Sequence, residues 1–156
     1  MAARSGGILL FRFVTASPER SPEVLLVHPG GPFWKNKDRG AWTIPKGEIQ
    51  PGEQPLTAAK REFEEELGFK AEGRFLELRS VRQKGGKTVH AWAFEGDCNP
   101  VQIRSNTFKL ELPPGSGRFY EFPEVDRAEF FTFNAAKEKI NLAQVAFLQE
   151  LKEKLS

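Results

Sequence analysis

A chain of 156 residues with 39% hydrophobic and 28% charged residues has the balance of a single globular domain that buries a core. Its formal net charge of only +2 gives no argument for nucleic-acid binding, so no stable nucleic-acid partner is expected. One cysteine, Cys98, excludes an internal disulfide framework.

The chain start carries no apolar stretch of signal-peptide length, and no apolar run approaches the length of a membrane span. These features predict a cytoplasmic protein without a membrane partner. The sequence shows no heptad repeat and no exposed apolar stripe, so it leaves the oligomeric state open.

Seven segments rich in aliphatic and aromatic residues predict strands, the third of them short. In chain order they are Gly7 to Val14, Glu23 to His28, Trp42 to Ile44, Leu76 to Lys84, Lys87 to Glu95, Thr107 to Leu112 and Glu129 to Phe133. Proline and glycine mark turns at Ser17-Pro18, Ser21-Pro22 and Pro29 to Pro32. The pair Gly85-Gly86 predicts a two-residue hairpin between the fourth and fifth strands.

Two segments predict helices. The first is Gln54 to Leu67, with Pro55 suited to the first helical position and Gly68 to the position just past the end. The second begins near Asn134, which could cap it, as could Asn141. Its apolar face is formed by Ile140, Phe147, Leu148, Leu151 and Leu155. Strands interspersed with two helices predict a sheet packed between helices.

The first helix concentrates acidic residues. At about 100° per residue, Leu56, Ala59, Phe63 and Leu67 share an arc of roughly 80° that predicts the core face. Beside this face, an arc of roughly 100° carries Glu62, Glu65 and Glu66, whereas Glu64 points elsewhere.

Such a cluster is unfavourable as plain structure, since like charges repel and the helix dipole disfavours acids near the C-terminal end. Acidic runs are usually solvated surface, here helped by Lys60 and Arg61. The alternative is a bound hard cation such as Mg²⁺, which prefers carboxylate and phosphate oxygens.

The spacing around the cluster favours the cation. Gly47 is followed by five residues, Glu53, seven residues and then REFEEELGF, which is Arg61 to Phe69. This segment resembles the Nudix box, G-x₅-E-x₇-R-E-U-x-E-E-x-G-U, at every defined position. Phenylalanine at both apolar U positions is a mild departure. A chance match in a chain this long has odds on the order of one in ten million.

The surroundings agree with this resemblance. Trp42 to Gly47 (WTIPKG) looks like the lead-in common in Nudix hydrolases, and the segments HPGGPFW, SNTFKLELPP and FPEVDRAEFF resemble a bacterial subgroup of predicted NTP pyrophosphohydrolases. The resemblance implies one Nudix domain over residues 1–156, with an α/β fold in which a mixed β-sheet lies between helices in an α/β/α sandwich.

The resemblance also implies a Mg²⁺ site, with Mn²⁺ as a possible substitute. It assigns Glu62, Glu65, Glu66 and the carbonyl of Gly47 as metal ligands. We favour Glu62 and Glu66 as ligands, because carboxylates four residues apart on a helix converge, and Glu65 as a third ligand or the base. Arg61 is implied to orient a glutamate, with Glu53 as its partner. Taken alone, Arg61 and Glu53 could be a surface ion pair and a first-turn acid.

Other site residues are less closely defined. Lys46 is predicted to contact phosphate, although an exposed turn lysine is an equal alternative. Trp42 is predicted to bind substrate, and Trp34, Tyr120 and Phe108 are further candidates for stacking on a base, although an aromatic is more often core. Many Nudix enzymes add an acid from a later loop. The candidates here are Glu111, Glu121 and Glu124, and the sequence does not choose among them.

The predicted function is therefore Mg²⁺-dependent hydrolysis of a diphosphate linkage in a small nucleoside diphosphate derivative, including nucleoside triphosphates. Asymmetric cleavage of dinucleoside polyphosphates such as diadenosine tetraphosphate is a close alternative. Removal of pyrophosphate from RNA 5′ ends is a third, weakened by the absence of a strong basic patch. A non-catalytic Nudix-fold binding module is the alternative of another class, but such modules usually have eroded boxes.

Overall fold

The computed structural model describes residues 3–14 and 21–156, over which strands alternate with helices. The strands are β1 (Arg4–Val14), β2 (Ser21–Pro29), β3 (Lys46–Glu48), β4 (Leu76–Arg82), β5 (Thr88–Glu95), β6 (Thr107–Glu111), β7 (Phe119–Pro123) and β8 (Val125–Thr132). The helices are α1 (Pro55–Leu67), α2 (Phe133–Lys139) and α3 (Val145–Leu155), with single 3₁₀ turns at Pro100–Gln102 and Leu142–Gln144. None of the described helices is both long enough and apolar enough to cross a membrane.

Strand β1 organises the main sheet. From Arg4 to Phe11 it pairs parallel with β5, and it pairs antiparallel with β3 near its start and with β2 near its end. In the described residues the order is β4-β5-β1-β2-β8, with β3 added on β1, while β6 and β7 form a separate antiparallel hairpin. The main sheet is therefore mixed, as predicted.

The two faces of the sheet bury two separate cores. Because successive side chains of a strand point to opposite faces, Ile8 and Leu10 of β1 join the core under α1, with Phe63. Leu9 and Phe11 join the core under α2 and α3. This division confirms the α/β/α sandwich.

Most predicted elements are confirmed, several with altered ends. The third predicted strand is an exception, because Trp42 and Thr43 form only isolated bridges and β3 lies at Lys46–Glu48. Gly85 and Gly86 both have positive φ and lie in the turn between β4 and β5. The predicted two-residue loop is wrong, because Gln83 N–H donates to the Lys87 carbonyl at 2.7 Å and leaves three residues, 84–86, in the loop. The last predicted strand begins earlier than expected, at Val125. Ser21 and Pro22 belong to β2, so the turn predicted there is wrong, and the turn predicted at Ser17-Pro18 lies outside the described residues.

The C-terminal helix differs from its prediction because it is interrupted. Ile140 leaves α2 with an extended backbone, φ −74° and ψ 150°. Around it, Trp42 donates its N–H to the Lys139 carbonyl at 3.1 Å and accepts from Asn141 N–H at 2.8 Å. These contacts replace the next turn of helix. Thr132 rather than Asn134 caps α2, whereas Asn141 caps the 3₁₀ turn that follows the break.

Candidate active site

Helix α1 presents Glu62 and Glu66 toward strand β3. It begins at Pro55 and ends at Leu67, and the φ of 85° at Gly68 is the left-handed conformation expected of a glycine that caps a helix C-terminus. Its buried face is formed by Ala58, Ala59, Phe63, Glu66 and Leu67. The structure thus places Glu66 within the buried face, and not only beside it as the helical wheel predicted.

Arg61 links the parts of the box. Its Nε and one terminal nitrogen bind the two oxygens of Glu53 at 2.9 and 3.0 Å, a bidentate pair. That same terminal nitrogen donates to the Glu48 carbonyl at 3.0 Å. The other terminal nitrogen contacts Glu62 at 2.8 Å and Glu65 at 3.3 Å. Arg61 therefore holds the Glu53 loop, strand β3 and two carboxylates in one arrangement. The Glu48 carbonyl is a partner that side-chain patterns do not reveal.

Glu62 lies directly against Gly47. A Cβ atom built on Gly47 would be 2.0 Å from Glu62 Cδ and 2.1 Å from its Oε2. The carboxylate therefore occupies the space that any side chain at position 47 would fill. Burial raises the pKa of Glu62, against the hydrogen bond from Arg61. The sequence placed Gly47 and Glu62 at one site, and the structure brings them into contact.

Glu66 is a buried carboxyl group without full hydrogen bonding. Its residue is 7% exposed, and its Oε2 has no hydrogen-bond partner among the described residues. Burial, followed by the charge of Glu62, raises the pKa of Glu66 well above its usual value, although the backbone N–H of Lys46 donates to the carboxyl group. Buried polar atoms are seldom left unpaired, so this oxygen is a natural position for a cation.

Glu124 is the later acid that the structure places at this cluster. Burial, then the charge of Glu65, raises its pKa, and its charge in turn raises the pKa of Glu62 and Glu66. Glu111 instead accepts hydrogen bonds from Gly115 and Gly117 N–H, and Glu121 accepts one from the Thr107 hydroxyl. Those two acids are engaged within the β6-β7 hairpin.

The carboxylates have the chemistry that a hard cation requires, but their side chains are not arranged around a common point. Among the described residues, no three His, Cys, Asp or Glu side chains stand close enough together to hold a metal ion. In this arrangement Arg61 pairs with both Glu62 and Glu65. The unpartnered oxygen of Glu66 and the packing of Glu62 against the bare backbone of Gly47 nonetheless supply oxygen donors of the kind that Mg²⁺ takes. The assignment of ligands remains a prediction.

Lys46 is the first residue of β3, and its backbone N–H donates to Glu66. It is half-buried, and this burial, together with the charge of Lys87, lowers the pKa of its ammonium group against the opposing effect of Glu66 and Glu62. The alternative prediction, an exposed lysine in a turn, is therefore wrong.

Trp42 requires a correction. The residue is only 1% exposed, its Nε1 donates to Asp38 at 2.8 Å, and its ring meets Phe131 edge-on at 5.1 Å. No face of the indole is available to a base. Trp42 is therefore a core residue, and its predicted role in substrate binding is wrong. The WTIPKG motif does not indicate whether its tryptophan packs in the core or contacts a substrate.

The other aromatic candidates differ in exposure. Trp34 is 39% exposed, with the Lys37 ammonium 5.2 Å from its ring centroid, and Tyr120 is 48% exposed. Phe108 packs on Phe122 at 6.0 Å between ring centroids. Trp34 and Tyr120 remain the candidates with accessible rings.

The Glu53–Arg61 pair predicts a pH-dependent contribution to stability. Hydrogen bonding to Arg61, then to Gln50 N–H, lowers the pKa of Glu53 to about 2. Because the folded-state pKa lies below the unfolded one, the contribution is fully present above the unfolded pKa and is lost as pH falls toward 2. We expect Glu53→Gln to lower Tm at pH 7, with a difference from the unsubstituted protein that shrinks between pH 5 and pH 2. A difference that stays constant over this range, measured by circular dichroism, would contradict the pairing.

The family of the chain follows from this fold and box. The family model described as NUDIX domain matches residues 11–151, which is most of the sequence. The chain therefore belongs to the Nudix family.

Its relatives include enzymes. The asymmetrical bis(5′-nucleosyl)-tetraphosphatase of Rattus norvegicus is 35% identical over 112 residues, which are 67% of this chain and 72% of that protein. An RNA pyrophosphohydrolase of Agrobacterium fabrum is 32% identical over 102 residues, covering 54% of this chain and 55% of that protein. Together with the family, these relatives identify the chain as a pyrophosphohydrolase that acts on phosphorus-containing anhydrides.

Solved structures share the fold. An Ap4A hydrolase of C. elegans in a binary complex superimposes with a TM-score of 0.67 at 19% identity, covering 99% of this chain and 98% of that one. The NUDIX domain of Shewanella oneidensis NrtR, complexed with ADP ribose, gives a TM-score of 0.67 at 12% identity and covers 100% of this chain and 90% of that one.

Proposed function

We propose that this chain hydrolyses a diphosphate linkage in a nucleoside diphosphate derivative, by water attack on phosphorus, with Mg²⁺ or Mn²⁺ as cofactor. The observation that carries the proposal is the group of carboxylates from Glu62, Glu65, Glu66 and Glu124, whose charges act on one another. Within this group, Glu62 lies against Gly47.

Metal binding and proton transfer are assigned to different residues of this group. A metal ion, when bound, neutralises diphosphate oxygens and lowers the pKa of a coordinated water. Glu62, Glu66 and the Gly47 carbonyl would hold it, with Glu65 as a third ligand or as the group that takes the proton of the attacking water. Glu124 is a second candidate for that proton. Arg61, fixed by Glu53, orients Glu62 and Glu65.

Lys46 supports recognition of the diphosphate. Its ammonium group lies near enough to Glu62 and Glu66 for their charges to affect its pKa. A phosphate drawn to the same cluster would meet it as a point charge. We assign Lys46 to substrate binding, and we assign Trp34 and Tyr120, with their accessible rings, to contact with a base.

Among substrates, dinucleoside polyphosphates have the strongest support. The Rattus norvegicus tetraphosphatase matches two thirds of the chain, whereas the Agrobacterium fabrum RNA pyrophosphohydrolase matches about half. The net charge of +2 also gives little attraction to an RNA chain. Nucleoside triphosphates remain the second candidate, since the box and its carboxylates serve either substrate.

A substrate screen tests the proposal. Purified protein is incubated with nucleoside triphosphates, diadenosine tetraphosphate and 5′-triphosphorylated RNA, and the products are separated by chromatography. Asymmetric cleavage of the tetraphosphate yields a nucleoside triphosphate and a monophosphate. A non-catalytic module would release nothing from any of these substrates.

Removal of metal should abolish the activity. The carboxylates add negative charge and cannot by themselves neutralise a diphosphate, so we expect turnover to stop in excess chelator and to return when Mg²⁺ is added beyond the chelator. Full turnover in chelator would rule out the metal mechanism.

A further inference from the structure

One short segment connects the C-terminal end of α1 to Glu124. Arg104 N–H donates to the Leu67 carbonyl at 3.0 Å, and Asn106 N–H donates to the Glu65 carbonyl at 2.7 Å. The Asn106 carbonyl then accepts the N–H of Glu124 at 2.8 Å. Asn106 therefore joins the backbones of Glu65 and Glu124 through its own two main-chain groups.

The Ser105 hydroxyl completes this connection. Its Oγ accepts the N–H of Val125 at 3.0 Å and donates to the Asn106 carbonyl at 2.8 Å. Two consecutive peptide N–H groups, those of Glu124 and Val125, are thus received by Asn106 and Ser105. On the other side, the Glu124 carbonyl accepts Gly30 N–H at 2.9 Å. Three hydrogen bonds therefore hold the peptide groups on either side of the Glu124 Cα atom, and the Ser105 hydroxyl supplies one of them.

We propose that Ser105 is a positioning residue that fixes the Glu124 carboxylate beside Glu65. This proposal rests on the metal-dependent hydrolysis proposed above, and it adds a side chain outside the box that sets the geometry of the carboxylate group. The Ser105 hydroxyl is occupied by the Val125 N–H and the Asn106 carbonyl, so Ser105 acts through Glu124 and not by contact with substrate or metal. It supplies one of the three hydrogen bonds around Glu124, so its loss loosens the backbone that bears this carboxylate while Glu62, Glu65 and Glu66 stay on their helix.

The test compares Ser105→Ala, Glu124→Gln and the double variant with the unsubstituted protein. Residues that orient metal-site groups typically change affinity or activity by about 10- to 100-fold. We expect Ser105→Ala to lower kcat for the best nucleotide substrate by about 10-fold with KM nearly unchanged. It should also reduce the gain in Tm that Mg²⁺ alone produces. The double variant should be no slower than Glu124→Gln, since Ser105 acts through Glu124.

Two further variants separate positioning from general stability. Ser105→Thr keeps a hydroxyl and should restore most of the rate. Ser116→Ala is the matched control, because the Ser116 hydroxyl also accepts a backbone N–H, that of Arg118, but lies in the turn of the β6-β7 hairpin. It should leave both rate and Mg²⁺ response unchanged.

Three results would overturn the role of Ser105. They are an unchanged kcat and Mg²⁺ response in Ser105→Ala, a loss of metal-free Tm alone, and a double variant in which the two losses multiply. If the unsubstituted protein hydrolyses no nucleotide, the proposed function fails instead. In that case the gain in Tm with Mg²⁺ alone still decides whether Ser105 positions Glu124.

Discussion

Glu62→Gln and Glu66→Gln should each lower the rate of nucleotide hydrolysis by about 100-fold or more. A metal ion contributes several kcal/mol to transition-state stabilisation, and each 1.36 kcal/mol corresponds to a factor of ten in rate. Glutamine keeps the shape of glutamate but not its charge. Glu65→Gln should show a comparable loss if Glu65 is the third ligand or the base, so at least two of the three variants should be severely impaired.

Although these substitutions lower activity, they should slightly increase the stability of the metal-free protein. Glu66 is buried beside Glu62, and the two like charges raise the free energy of the folded state. Replacing either by glutamine should raise Tm slightly in chelator and reduce the gain in Tm on adding Mg²⁺. A solvated acidic face would give the small rise alone, with activity untouched.

Glu64→Gln is the internal control. Glu64 belongs to the same acidic run, but its side chain is exposed. Rate and Mg²⁺ response should both remain near those of the unsubstituted protein. An equal loss at Glu64 and Glu62 would contradict the assignment of the metal site to one side of α1.

The sequence predicted the parts of the site that depend on local geometry. Helix α1 is specified by Pro55, Gly68 and the spacing of its apolar residues, so the side on which Glu62 and Glu65 lie follows from the helical period alone. Family resemblance added the pairing of Arg61 with Glu53, which the structure contains as a bidentate contact.

The features that the sequence did not predict depend on contacts between residues distant in the chain. Glu124 is brought to α1 by the Asn106 backbone, and backbone hydrogen bonds leave no trace in residue type. Strand β7 was not predicted, because its exposed residues pair only with β6 and show no buried face. The burial of Trp42 and the break in the helix at Ile140 have the same cause. The Trp42 backbone pairs with the chain on both sides of Ile140.

Gly47→Ala should abolish most activity while leaving the protein folded. The new Cβ would lie 2.0 Å from Glu62 Cδ, a separation that real Cβ atoms essentially never show, so the carboxylate must move away. The backbone itself tolerates the change, because Gly47 is not among the described glycines with positive φ. We therefore expect a loss of about 100-fold or more, like that of Glu62→Gln, with only a small change in metal-free Tm.

The double variant and a neighbouring control show whether Gly47 acts through Glu62. If alanine works by displacing this carboxylate, adding Gly47→Ala to Glu62→Gln should cost much less activity than the two single losses combined. Glu48→Ala changes the adjacent residue of β3, whose side chain is exposed and whose carbonyl still receives Arg61. It should retain nearly full activity. Losses that multiply in the double variant would mean that the alanine side chain disturbs the site by a route other than displacement of the Glu62 carboxylate.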